Sequence, residues 1–323
     1  MCNNTLHIAS TLSTNQMMVN YDPTRTTSLR NAYAADMKRR FRELARVVRR
    51  SVDMNDAFGL KNDINVQQMN PASHNQFNFP LNSDKIKAFR RWFNQQVNLG
   101  ILTPGTLTGS ESWQDKYIFD TYKRGIQRAR YEMQKAGFQV PSIEASGGID
   151  IAMTIPIHVN TLQMMYMRNF IELQGITNAM DQQISRILAQ GLADGDNPRV
   201  LARKMVADIN GAGAAELGIT DTLGRYIPAE RRAMTLARTE VIRTHSEAML
   251  TEYELYGMEG VQVKAEFATS QDDRVCQICS SFEGEIFTLK RAHGFIPVHP
   301  NCRCMFLPYN ASLTTRNATG QLN

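Results

Sequence analysis

The sequence predicts a mainly α N-terminal half and an α+β C-terminal domain in which a long helix and a small antiparallel sheet surround a cysteine/histidine cluster. Three observations carry that expectation. Apolar residues recur at spacings of three and four through most of the chain, the period changes to strict alternation only after Gly257, and four of the five cysteines fall between Cys276 and Cys304.

The first helix is expected from Asp22-Pro23 or Thr26–Ser28, which supply capping side chains and a proline tolerated in a first turn, to about Val52. Its apolar stripe is Leu29, Tyr33, Met37, Phe41, Leu44 and Val48, and the helical period gathers Lys38, Arg39, Arg42, Arg46, Arg49 and Arg50 on the other face. A loop rich in Asn, Gln and Pro follows over 61–82. A second helix is capped by Asn82 or Ser83, lined by Ile86, Phe89, Phe93 and Val97, and closed by Gly100. A third runs from Trp113 to about Ala136, with Gly137 as its stop.

The prolines and paired glycines of 138–156 suggest a linker. Helices are then expected at 157–173, 176–192 and 198–209, the last opened by Asn197-Pro198, and a long one runs from Pro228 to Tyr256 with Gly257 as its terminator. Beyond it, Val261, Val263, Ala265 and Phe267 alternate with Gln262, Lys264 and Glu266, the pattern of a half-buried strand, and short strands fit 285–289 and 303–307. The implied organisation is a flexible tail over 1–21, a helical domain over 22–140 with a basic first helix, a helical connector over 157–225, a domain over 226–310 and a polar tail over 311–323.

The 323 residues, 42% hydrophobic and 21% charged, suffice for two domains with cores that need no disulfide staples. No stretch approaches the roughly 18 apolar residues of a membrane span, and the first twenty residues lack the basic start and apolar run of an export signal. The net charge of +5 is uneven, with 20 Lys/Arg against 13 Asp/Glu in residues 1–150. A basic half points to a polyanionic neighbour. No phosphate-binding glycine loop, Ser/His/Asp arrangement or paired-carboxylate spacing stands out, so no small-molecule substrate and no catalytic activity are expected.

The most informative run is DDRVCQICSSFEGEIFTLKRAHGFIPVHPNCRCMFLP. Cys276 and Cys279 form a C-x2-C pair whose thiolates can converge on one tetrahedral ion, and His299 with Cys302 repeats the gap as a second jaw. Cys304 lies one residue beyond Cys302, on the opposite face if the backbone there is extended, and so is either a substitute for His299 or no ligand. The favoured occupant is a structural Zn²⁺ with no open coordination position. Disulfides, or reduced thiols packed as small hydrophobes, remain the alternatives.

Together with the helix before it, this region resembles the Mu F-like phage head-morphogenesis family. The matching pieces are RAMTLARTEVIRTHSEAML (Arg231–Leu250), a strand, DDRVCQICSSFEG and HPNCRC (His299–Cys304), covering about 225–310, and Arg238, Thr239, Glu240, Asp273 and Arg274 occupy family motif positions. The resemblance implies a minor capsid protein acting near the portal in head assembly, DNA packaging or DNA ejection. Its partners would be the portal and other head proteins, with the virion interior, and the host cytoplasm during assembly, as its location.

Two other classes compete. A metal-supported nuclease would use His293 or His299 as base with Asp272 or Asp273 nearby, but needs open coordination. A nucleic-acid-binding module would use Lys38 to Arg50; no aromatic interleaves with those charges, so contacts would go to phosphates rather than bases.

Overall fold

A computed structural model of the chain describes residues 22–61, 75–103, 112–211, 220 and 225–310. The tails expected over 1–21 and 311–323, much of the loop within 61–82 and most of 212–224 lie outside the described residues. The elements run α1 (Thr27–Arg49), a π-helical turn (Arg50–Met54), α2 (Asn82–Gly100), α3 (Asp115–Lys135), α4 (Ile149–Met153), α5 (Pro156–Ala193), α6 (Pro198–Asn210) and α7 (Ala229–Met258), then β1 (Lys264–Ala268), α8 (Gln277–Ser280), β2 (Ile286–Phe287), α9 (Leu289–Ala292) and β3 (Met305–Tyr309). Helices before a small sheet is the order that the change of period predicts.

The chain divides into two compact units, each discontinuous in sequence. Unit 1 comprises 1–31, 115–167 and 238–323; unit 2 comprises 32–114 and 168–237. In unit 2 the stripe of α1 is buried as its spacing requires, Tyr33, Met37, Phe41 and Val48 all being fully enclosed. Phe58, Phe77, Phe89 and Phe93 form an aromatic cluster with centroids 5.4 to 6.0 Å apart. A polar chain crosses the same core: Asn169 Nδ2 donates to Tyr33 Oη at 2.9 Å and to Gln114 Oε1 at 3.0 Å. The α6 N-terminus is capped by Asn197, whose Oδ1 accepts from Val200 N at 3.0 Å.

In unit 1 the sheet has the order β2-β1-β3, all antiparallel, with Ala265 opposite Phe287 and Phe267 opposite Phe306. One face carries Ala265 and Phe267 into the core, where Phe282, Phe287, Phe295 and Phe306 surround Phe267. Residues of α3 and α7, among them Met133, Met249 and Tyr253, complete that core.

Several local expectations change: the N-cap of α2 is Leu81 rather than Asn82 or Ser83, and Gly100 lies inside the helix, with Ile101 as the C-cap. The helices expected at 157–173 and 176–192 are one, α5, running through Gly175. A helix-interior glycine costs about 1 kcal/mol relative to alanine, and with no capping residue or proline beside it that is too little to stop a long helix. The stretch 138–156 carries α4, and Arg130 ties it into unit 1 through Ser142 O at 3.2 Å and Ser146 Oγ at 2.5 Å. After α7, the glycine in the left-handed conformation is Gly260 (φ 93°), not Gly257.

Candidate metal centre

Local structure brings the sulfurs together. Cys276 is the N-cap of the single-turn helix α8 and its Sγ accepts from Cys279 N at 3.3 Å, which aims both side chains of the C-x2-C pair the same way. On the far side of β2 and α9, His299–Cys302 closes a turn, with Cys302 N donating to His299 O at 3.1 Å and Asn301 at φ 61°. The Asn301 N–H is held by Thr239 Oγ1 of α7 at 3.1 Å.

His299 Nε2 lies 3.2 Å from Cys276 Sγ and 3.2 Å from Cys279 Sγ, and Cys279 Sγ lies 3.9 Å from Cys302 Sγ. The ligand atoms of Cys276, Cys279 and His299 fall within 4.8 Å of one another, and so do those of Cys279, Cys302 and Cys304. All five residues proposed from the sequence therefore converge, as two triads that share Cys279. Cys304 is not turned away: β3 begins only at Met305, so the strand alternation that would oppose it to Cys302 does not apply. The four thiols are free, and the 3.9 Å between Cys279 and Cys302 is nearly twice the roughly 2.05 Å of a disulfide.

The electrostatics follow from packing several ionisable sulfurs in a partly dry pocket. Burial, reinforced by Cys302, pushes the Cys279 thiol up. A hydrogen bond with Cys304 pulls the Cys302 thiol down, while Cys304 is pushed up as the partner that keeps the proton. The backbone N–H of Cys279 lowers Cys276. Such a set is relieved by a cation that accepts several thiolates at once. His299 suits the same role: its Nδ1 sits 2.8 Å from Pro300 O, so that a proton on Nδ1 leaves the Nε2 lone pair toward the sulfurs. Burial of that ring opposes its charge, but the Pro300 carbonyl and the cysteines outweigh it and raise its pKa. A cation would have to displace that proton. The donor set could thus hold a metal ion.

A second tie fixes the loop before the cluster. Arg303 clamps Asp272 with two hydrogen bonds, 2.5 and 2.7 Å, and Arg274 and Ser270 add 3.0 and 3.1 Å contacts. The Arg303 guanidinium, outweighing partial burial, holds the Asp272 carboxyl below the usual range. Among the motif positions, Asp273 is exposed while its neighbour Asp272 makes these bonds, Arg274 contacts Asp272, Thr239 holds the cluster turn, and buried Glu240 pairs with Arg243 at 3.2 Å. Arg238 is half-buried.

Sequence reasoning missed the grip on His293, whose Nδ1 lies 2.7 Å from Glu247 and Nε2 3.1 Å from Glu254, with Gly294 N adding a 2.8 Å bond to Glu247. The signal was available: Glu247 and Glu254 are two helical turns apart on α7. His245 is fully buried with no hydrogen bond to either ring nitrogen among the described residues, and burial, aided by Arg128, lowers its pKa to about 3.

The basic face of α1 is in place but partly neutralised. Arg39 pairs with Asp36, Arg46 with Glu43 at 2.7 Å and Arg42 with Glu230 at 3.6 Å, whereas Arg49 and Arg50 are exposed and form no ion pair among the described residues. Lys38 is half-buried.

A long helix, a three-stranded sheet and a thiol/imidazole cluster whose turn is bonded to that helix define a small α+β module with a candidate metal centre. Residues 182–307 match the family model described as Phage Mu protein F like protein, so this part of the chain is similar to that family. The match begins upstream of the 225–310 stretch that carries the motifs, taking in the end of α5 and all of α6. The family points to a phage head-morphogenesis protein associated with other head proteins in the virion. No curated protein and no solved structure shows significant similarity to the chain. Among the described residues, no helix is long and apolar enough to cross a membrane.

Proposed function

We propose that the chain is a structural minor capsid protein of a tailed phage, working beside the portal on the inside of the head during assembly, DNA packaging or ejection, and present in the host cytoplasm while heads are built. The observation that carries this is the family match over the helix-and-sheet module. The ion in the cluster is Zn²⁺, held by cysteines and His299 as a structural centre that fixes the module's shape. No turnover of substrate is expected: among the described residues His293 is engaged by two glutamates, Asp272 by Arg303, and His299 Nε2 points at sulfurs.

The partners are the portal and neighbouring head proteins. Packaged DNA is a further partner, met through phosphate contacts from the basic face that runs from Lys38 on α1 to Arg50 on the π-helical turn. Affinity capture with the tagged full-length protein from infected cells, at a stage when heads are assembling, tests the placement. Recovery of the portal protein is the expected result. Recovery of tail proteins without portal or head proteins would overturn it. Elemental analysis of the same protein should return about one zinc per chain.

A further inference from the structure

Unit 2 contains a cleft that the capsid reading does not use. It is a half-open cleft of about 690 Å³ where the end of α1 and the π-helical turn meet α2, and its lining includes Arg46, Arg49, Arg50, Met54, Gln76 and Trp92. Clefts of several hundred Å³ are the size that holds one or two nucleotide units.

Its charge is not the sum of its lining residues. Glu43 is taken up by Arg46 at 2.7 Å and Asp53 by Lys61 at 3.3 Å, so the acidic groups of the cleft already have partners. Arg49 and Arg50, both exposed, stay uncompensated among the described residues. Two guanidinium groups that line one cleft and form no ion pair among the described residues are suited to phosphate oxygens, which each can bind through paired N–H donors.

The aromatic component comes from another helix. Trp92 of α2 is half-buried, its ring held by Phe77 and Phe89 at centroid distances of 5.6 and 5.3 Å, and it lines the same cleft as the arginines. An indole fixed by neighbouring rings is a platform on which a base can stack with little loss of side-chain freedom. Along α1 alone no aromatic interleaves with the charges, and the pairing arises only when α2 folds against it.

We infer that this cleft binds a nucleotide unit, with its phosphate on Arg49 and Arg50 and its base on Trp92. Single-stranded DNA and a free nucleoside phosphate share that chemistry; a duplex, whose bases are already stacked, would reach only the arginines. The inference deepens the phosphate-contacting role of α1 and rests on it.

The test uses the full chain with three probes: a short thymidine oligonucleotide, thymidine monophosphate and a blunt duplex, each titrated by tryptophan fluorescence and by anisotropy over a salt series. Trp113, engaged by Ile101 O and covered by Arg40, serves as the internal reference that should not be quenched. Trp92→Leu keeps apolar bulk against Phe77 and Phe89, and a thermal melt matching the parent shows that it folds. Quenching by the oligonucleotide, lost in Trp92→Leu with affinity down about tenfold, and a salt slope reduced by about 1.4 in the Arg49→Glu, Arg50→Glu double variant are the expected results. Equal affinity per nucleotide for the monophosphate would name the free nucleotide as the ligand; much tighter oligonucleotide binding would name the strand. Binding that the arginine variant weakens and Trp92→Leu leaves unchanged overturns the cleft while sparing the phosphate contacts of α1. No binding of any probe overturns both.

Discussion

In unit 2, Phe58, Phe77, Phe89 and Phe93 are buried by long helices and the turns between them, while buried polar groups such as Asn169, which bonds Tyr33 and Gln114, sit within elements already set by the helical backbone. In the 264–310 stretch of unit 1 an equally dense set of rings gathers around Phe267, but regular structure there is three short strands and two single helical turns. Backbone hydrogen bonding that specifies a 23-residue helix such as α1 cannot specify a two-residue strand such as β2. What replaces it is side-chain chemistry of fixed geometry: the thiol/imidazole cluster, the Asp272–Arg303 clamp and the grip of Glu247 and Glu254 on His293. Where the secondary structure is short, directional polar groups take over the work of setting positions.

The sharpest way to break this contrast is to remove the cluster. With zinc bound, Cys279→Ser, which deletes the ligand common to both triads, should cost the module on the order of 10 kcal/mol. Hydrogen-exchange mass spectrometry should show lost protection in β1 and β3 together with lost zinc, and a strong chelator should reproduce the effect on the parent. Full protection of both strands in the chelator would mean that apolar packing alone holds them. The opposing control lies in unit 2. Phe89→Ala should cost about 3–5 kcal/mol by opening a cavity against Phe58, Phe77 and Phe93, and α2 protection in the parent should be indifferent to the chelator.

The same contrast explains what the sequence did and did not reveal. The buried face of α1 was legible because the helical period makes Leu29 through Val48 a stripe, and the central strand was legible because Ala265 and Phe267 alternate with charged neighbours. The cluster was legible as a set of residue types, Cys276, Cys279, His299, Cys302 and Cys304. Its inner arrangement was not, because Cys302 to Cys304 precede β3, so the strand alternation that would have sent Cys304 elsewhere does not apply. Asp272 could not be told from Asp273 by type or spacing, since only the fold brings Arg303 to one of them. Trp92 was invisible as a partner of Arg49 and Arg50 because the three meet across two helices far apart in the chain.

The Asp272 clamp gives a smaller effect and a defined pH dependence. Asp272→Asn removes the charge from a bidentate, half-buried pair and should cost about 1–2 kcal/mol, whereas Asp273→Asn, at an exposed carboxylate, should cost about 0.5 kcal/mol or less. Because the folded-state carboxyl is held below its unfolded value of about 3.9, the contribution is complete above that pH and fades as acid protonates the folded form. Thermal melts from pH 6 down to pH 2 should therefore converge for parent and variant. Parallel curves across the whole range would assign the clamp no charge-dependent role.

The smallest effect is expected at His293, and its pH dependence runs the other way. The hydrogen bond to Glu247, followed by the charges of Glu247 and Glu254, raises the imidazole pKa above its ordinary value near 6.5, while partial burial opposes the shift. A raised folded-state pKa means that the stabilisation is fully present below about pH 6.5 and disappears as rising pH deprotonates the ring in the folded protein. His293→Gln keeps a hydrogen-bond donor for one glutamate but lacks the charge, so it should cost about 1 kcal/mol at pH 5.5 and little above pH 8.5. NMR titration of the His293 ring provides the direct check. A midpoint at or below 6.5 would show that the two glutamates do not hold an imidazolium, and would leave the cluster and the Asp272 clamp as the polar fixtures of the module.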